Sequence, residues 1–244
     1  MASRYPQSSS SDLQGSRPEE PFSVITFGSV NYLLLGDSRL GQLKHYDTCR
    51  NIGTPYFRQT EMNYLCRPTM TVRDLREVLQ VRYPNGLPLD NVILLVGTYD
   101  FTKSGAEILR EQHFRERINK DMEELHTQLA RYPIRRLLMV LIPVIPRYDS
   151  NKDFRLMWNT INNDWKNHIN YWQQQAGPLT RYWLLDPTNL FEVPVPALGP
   201  EAKTPILSYF CEHTHTSHRM VDLVDLSEEG LKTLWTAIRN TLNE

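Results

Sequence analysis

Cysteines, net charge and long hydrophobic runs are all scarce in this chain of 244 residues, and each scarcity excludes a class of protein. Three cysteines, at positions 49, 66 and 211, are too few and too scattered for a disulfide framework. The 27 basic and 28 acidic residues nearly cancel, so the overall charge gives no reason to expect binding to nucleic acid or membranes. No apolar run reaches transmembrane length, and the first residues lack the apolar stretch of a secretory signal. We therefore expect an intracellular protein, cytoplasmic or nuclear, with no membrane partner.

The composition predicts one globular domain behind a short tail. Hydrophobic residues make up 40% of the chain and charged residues 23%, which is ordinary for a soluble domain. Residues 1–21 depart from this average because they are rich in serine, proline and charge. Such a segment has too little apolar surface to offset the entropy of ordering. We predict a disordered tail over residues 1–21 and a single domain over residues 22–244.

Short apolar runs alternate with amphipathic segments along this domain. The predicted strands lie at residues 32–35, 91–96, 136–143 and 181–186, with shorter candidates at 23–27 and 64–66. Helical segments follow all of them except 23–27: a helix starts at residues 39–45, and others are predicted at 71–79, 104–132, 154–175 and 227–242. Trp158, Trp165 and Trp172 recur every seven residues, which predicts that one helix is anchored by them against the sheet. Strands that are nearly all apolar and alternate with helices predict an α/β fold with a parallel sheet covered on both faces.

Polar residues follow the first of these strands directly. Gly36, Asp37 and Ser38 stand between the run Leu33–Leu35 and the next helical segment. Open α/β sheets bind ligands at the carboxyl ends of their strands. Ser38 is therefore either a nucleophile, with a backbone N–H stabilising the oxyanion, or simply the N-cap of the helix.

Three turns, taken in order, resemble the SGNH (GDSL) hydrolase superfamily and its PC-esterase relatives. They are Gly36-Asp37-Ser38 after one strand, Gly97-Thr98-Tyr99-Asp100 after another, and the stretch from Asp222 to Gly230 before the last helix. The resemblance covers the chain from residue 22 onward. It implies a flavodoxin-like three-layer α/β/α sandwich with a central parallel sheet. It also implies Ser38 as nucleophile, Asp222 as the orienting acid, and a pocket built from Gly36, Asp37, Gly97, Tyr99 and Asp100.

Two positions depart from the pattern of this superfamily. Asp225 stands where the catalytic histidine is expected, and Tyr99 stands where an asparagine donates to the oxyanion. A carboxylate is a much weaker base than an imidazole at neutral pH. Loss of one oxyanion donor typically costs about 2.7–4 kcal/mol of transition-state stabilisation. We therefore predict a catalytically degenerate domain that acts as a binding module.

The alternative is an active esterase or acyl hydrolase that uses Ser38 with an unorthodox base. Asp225 is one candidate for that base. His218 is the other, from the histidine-rich segment between Cys211 and Asp222, which otherwise predicts an exposed loop. The ligand spacing of that segment fits no standard zinc site. We expect no metal, no nucleotide and no other cofactor.

Basic residues interleaved with aromatic ones suggest what such a module would bind. Arg39, Lys44, Arg67 and Arg73 form the predicted patch. Tyr46, Tyr56, Phe57 and Tyr64 lie among them, and acidic residues are sparse there. Degenerate SGNH domains that bind RNA exist, and the chain loosely resembles one of them, the OSK domain of Oskar. We expect an RNA or a protein as the partner.

Overall fold

A computed structural model describes residues 22–60, 62–103, 111, 113–199, 202–211 and 225–243. The predicted tail over residues 1–21 lies outside the described residues. The strands are β1 (Val24–Phe27), β2 (Val30–Gly36), β3 (Asn91–Leu95), β4 (Arg136–Val140), β5 (Arg181–Leu185), β6 (Glu192–Pro194) and β7 (Lys203–Pro205). The α-helices are α1 (Ser38–Ile52), α2 (Val72–Arg82), α3 (Thr98–Lys103), α4 (Phe114–Leu129), α5 (Lys152–Asn167), α6 (Ile169–Gln175), α7 (Thr188–Phe191) and α8 (Glu228–Asn243).

The central sheet has five strands in the order β1-β2-β3-β4-β5. Strands β2 to β5 are parallel to one another, whereas β1 is antiparallel to β2 and forms one edge. Helix α1 contacts α8 on one side of the sheet, and α4 contacts α2, α5 and α6 on the other. The predicted three-layer α/β/α fold with a mostly parallel sheet is therefore confirmed. Strands β6 and β7 form a separate two-stranded hairpin.

Burial on both faces explains why the strand sequences are nearly all apolar. Leu33, Leu34 and Leu35 are all fully buried, and β3 continues the same layer. Since neighbouring residues of a strand point to opposite faces, such a run is stable only between two layers of helices.

Helix α2 begins with a capping box, in which Thr71 and Asp74 each bond the backbone N–H of the other.

Three predicted elements differ from the observed ones. Residues 64–66 form no strand, because only an isolated bridge joins Cys66 to Gly36. Of the helix predicted over residues 104–132, residues 104–110 lie outside the described residues, and α4 begins only at Phe114 and ends at Leu129. Residues 39–45, predicted as the start of a helix, do open α1, which continues to Ile52, where Gly53 closes it in the left-handed conformation with a φ of 70°. The predicted helix over residues 154–175 is two helices, α5 and α6, which meet at His168.

The tryptophan anchor is nevertheless present. Trp158, Trp165 and Trp172 are all buried, although the third of them belongs to α6 rather than α5. The indole N–H of Trp158 donates to the carbonyl of Ile142, just beyond β4. This bond ties α5 to the carboxyl end of the sheet, where the candidate site lies.

Candidate functional site

Ser38 lies where the sequence predicts it, at the carboxyl end of β2 and in the first turn of α1. Asp37, not Ser38, is the N-cap of this helix, and its carboxylate accepts the N–H of Arg39 at 3.0 Å. Ser38 is therefore the first helical residue, and its side chain is half-buried. Its hydroxyl is free to interact with groups outside the helix.

Among the described residues, the partner of Ser38 is a carboxylate. The hydroxyl of Ser38 donates to Asp225 Oδ1 over 3.5 Å, which is long for a hydrogen bond between oxygens. The other oxygen of Asp225 accepts from Arg58 Nη2 at 2.5 Å. Asp225 thus joins a serine and an arginine that lies 167 residues away along the chain. This arrangement holds the serine without offering it a strong base.

The other two predicted catalytic residues, Asp222 and His218, lie outside the described residues. Within the described ranges, no histidine contacts Ser38. His45, the histidine of α1, is buried, and its Nε2 lies 3.5 Å from the sulfur of Cys49. Its ring also packs edge-on against Phe57. The His45 ring therefore contacts Cys49 and Phe57.

The two glycines of the predicted pocket have clear packing roles. A Cβ on Gly36 would lie 1.7 Å from the carbonyl oxygen of Leu95, so only glycine lets β2 approach β3 so closely here. Gly97 has a φ of 114°, and a Cβ there would lie 2.8 Å from Ile142 and 3.0 Å from Trp165. Both residues shape the carboxyl edge of the sheet.

Tyr99, at the position expected to hold an oxyanion donor, lies half-buried in α3. The described part of the chain gives its hydroxyl no hydrogen bond with Ser38. The pocket residue Asp100 is buried deeper, and it accepts the N–H of Val72 at 3.0 Å, at the start of α2. Burial raises the pKa of Asp100 to about 7, while Val72 and Arg117 oppose the rise.

A network of charged side chains surrounds Asp100 and joins α2 to α4. The carboxylate of Asp121 is buried, and three arginines converge on it, namely Arg73, Arg76 and Arg117. The neighbouring open cavity measures about 350 Å³ and has equal numbers of acidic and basic groups; it is lined by Thr71, Arg73, Asp74, Asp100, Lys103, Glu111 and Arg117.

Arg39 is the clearest departure from the predicted basic patch, because it is fully buried. Its guanidinium donates to the carbonyls of Pro143 and Val144, at 3.1 and 3.3 Å. Burial lowers the pKa of Arg39, and the negative charges of Asp37 and Asp225 oppose this shift. Burial likewise raises the pKa of Asp37, against the effect of the Arg39 guanidinium. Arg39 therefore braces the site from within instead of presenting charge to a partner.

The other three residues of the predicted patch lie nearer the surface. Lys44 and Arg67 are half-buried, and Arg67 Nε has no hydrogen-bond partner among the described residues. The loop of Arg67 is held against the site, since its N–H donates to the carbonyl of Gly36. Arg73 is exposed, but its guanidinium lies 3.3 Å from Asp121 and is partly neutralised.

The features that could not be predicted from the sequence are contacts between residues far apart along the chain. Arg58 belongs to a basic and aromatic stretch, yet no local pattern pairs it with Asp225. The burial of Arg39 had a signal, because it shares a helix face with Leu43 and Tyr46 at the i, i+4 and i+7 positions.

The described residues contain no cluster of three or more His, Cys, Asp or Glu side chains that could hold a metal ion. None of the helices described is long and apolar enough to cross a membrane.

Comparisons with known proteins address the fold. No family model and no curated protein sequence matches the chain. The crystal structure of the OSK domain of Drosophila Oskar is similar, with a TM-score of 0.57 and 14% identity over 87% of this chain and 88% of that one. The crystal structure of the CTD of the Drosophila Oskar protein has a TM-score of 0.59 and 13% identity, over 95% of this chain and 98% of that one. At these identities the likeness shows the fold alone, an α/β fold similar to that of the OSK domain.

Proposed function

We propose that this protein is a non-catalytic SGNH-like module that binds RNA. The observation that carries the first half of the proposal is the contact of Ser38 with Asp225. A serine becomes a nucleophile when a base removes its proton, and an imidazole normally does so. Within the part of the chain that the structure describes, the acceptor that Ser38 contacts is a carboxylate already paired with Arg58.

The distribution of charge supports RNA as the ligand. Residues 39–82 contain eight basic and four acidic side chains, whereas the whole chain is nearly neutral. Asp47, one of the four acids, is buried and accepts the indole N–H of Trp235 at 3.0 Å. Asp74 is used in the capping box of α2. Positive charge therefore dominates the surface of this stretch, as the binding of phosphates requires. We call Lys44, Arg58, Arg67, Arg73 and Arg82 the basic set; Lys44 lies on α1, Arg73 and Arg82 lie on α2, and Arg58 and Arg67 lie on the chain between these helices.

Salt dependence of RNA binding tests this proposal. Fluorescence anisotropy with a labelled single-stranded oligoribonucleotide, repeated from 50 to 200 mM salt, measures the number of phosphate contacts. We expect Lys44→Ala and Arg67→Ala each to weaken binding and to reduce the slope of log K against log salt by about 0.7. Arg135→Ala is the matched control, because this exposed arginine lies just before the amino end of β4, whereas the loop of Arg67 is bonded to Gly36 at the carboxyl end of β2. Binding that is absent, or equally weakened by the control, would refute the proposal.

An active serine hydrolase is the second candidate, because Ser38 is half-buried at the start of a helix and its hydroxyl has a polar partner. A fluorophosphonate probe labels activated serines. Labelling of the wild type that is lost in Ser38→Ala would establish this candidate and exclude the non-catalytic one. We expect no labelling, and we expect Ser38→Ala to bind RNA as tightly as the wild type.

A further inference from the structure

The segment between α1 and α2 exposes an unusual number of large apolar side chains. Among the described residues from 53 to 64, none is buried. Phe57 and Met62 are each 59% exposed, and Tyr64 is 42% exposed. Single exposed apolar residues are normal on protein surfaces, but several within one short segment indicate a binding surface.

Two of these rings, those of Phe57 and Tyr64, are each held in position by a neighbouring side chain. Phe57 packs edge-on against the buried ring of His45, with 4.6 Å between the ring centroids. Arg82 lays its guanidinium over the ring of Tyr64, 3.5 Å from the centroid. A ring that is already ordered loses little entropy when a ligand stacks on it.

The charges beside these rings identify the kind of partner. Arg58 and Arg67 belong to the same segment, and Arg82 covers Tyr64 itself. Aromatic rings with arginines between them can stack nucleobases while the arginines contact phosphates. A duplex hides the faces of its bases, so only unpaired bases can use such rings.

We infer that Phe57 and Tyr64 are stacking platforms for the bases of single-stranded RNA. This inference rests on the proposed RNA binding and specifies which form of RNA is bound. The platforms supply affinity that does not depend on charge, and the basic set supplies the part that depends on salt.

The test compares single-stranded and hairpin RNA of the same composition by fluorescence anisotropy. Phe57→Leu and Tyr64→Leu keep apolar volume but remove the aromatic face. Each should weaken single-strand binding about 5- to 100-fold, with no change in the salt slope. Tyr171→Leu is the control. Tyr171 lies on α6, outside the segment between α1 and α2; it is also half-exposed, and its ring contacts the ring of His168. Wild-type binding to the hairpin should be much weaker than to the single strand.

Three results would count against this assignment in different ways. RNA binding with normal affinity in both leucine variants overturns the platforms and leaves the proposed function intact. Equal affinity for hairpin and single strand does the same. No RNA binding by the wild type, together with self-association that Phe57→Leu abolishes in sedimentation velocity, overturns both and makes the segment a protein interface.

Discussion

Arg39 gives the sharpest test of how the site is held together. Its guanidinium is fully buried, donates to the carbonyls of Pro143 and Val144, and faces the buried carboxylate of Asp37. Arg39→Met keeps the length and the apolar stem of the side chain but removes the charge and both donors. Two carbonyls and one carboxylate then lose their cationic partner inside the protein.

The cost follows from these lost partners. Removal of one member of a buried charge pair typically costs about 3–5 kcal/mol, because the other charge stays buried without compensation. We expect Arg39→Met to lower the free energy of unfolding by about 4 kcal/mol at pH 8. Arg39→Lys should cost less, since an ammonium keeps the charge but loses the planar fork that reaches both carbonyls. The loss in Arg39→Met should shrink towards pH 5, because a proton on Asp37 can replace the missing positive charge.

Urea unfolding followed by far-UV circular dichroism measures these differences. Arg135→Met is the control, because that side chain is 79% exposed and pairs with Asp90 at the surface. Such exposed pairs contribute at most about 1 kcal/mol. If Arg39→Met costs no more than this control, or if its cost grows at low pH, the bracing role of Arg39 is wrong.

Three further predictions follow from buried groups. Burial raises the pKa of Asp100 to about 7, so between about pH 4 and pH 7 the folded protein holds a proton that the unfolded chain releases. The free energy of unfolding therefore falls as the pH rises through this range. Asp100→Asn should remove this fall, worth up to about 4 kcal/mol, in urea titrations at a series of pH values. Burial lowers the pKa of His126 to about 4, so stability is lost as pH falls from about 6.5 towards 4, and His126→Gln should flatten that part of the profile. Gly97→Ala should lower the melting temperature through a cost of about 2 kcal/mol or more, since its Cβ would press on Ile142 and Trp165 at positive φ; an unchanged melting temperature would contradict this packing.

The fold could be predicted from the sequence because burial on two faces leaves a local signature. Apolar runs such as Leu33–Leu35 need no distant information, and neither does the capping box at the start of α2. Only the start of helix α1, residues 39–45, could be predicted from the sequence, because its second half is polar. Asp47 and Asn51 are stabilised there by a bond to each other, and Asp47 also bonds Trp235 of α8, which no pattern within α1 reveals.

The candidate site could be predicted only in part for the same physical reason. Gly36, Asp37 and Ser38 are consecutive, so their place at a strand end follows from local pattern. The pairing of Arg58 with Asp225 depends on how distant segments meet, and a sequence alone does not contain that geometry. Arg39 was placed on the surface because arginines are rarely fully buried, and its burial depends on carbonyls more than 100 residues away.

The antiparallel edge strand β1 has a consequence for how this domain can diverge. Strand β1 pairs with the edge of β2 that faces away from β3. The chain that follows α1 therefore cannot add a complete strand at this edge, and it joins β2 only through the single bridge from Cys66 to Gly36. The described residues from 53 to 64 are therefore all at least partly exposed, although the ring of Tyr56 packs against the core beside Tyr46. Apart from Tyr56 and Arg58, which is bonded to Asp225, exposed residues of this stretch such as Met62 can change with little effect on folding, so the stretch can acquire a new specificity on an unchanged scaffold. Grafting this stretch onto another protein of the same fold should carry the ligand preference with it.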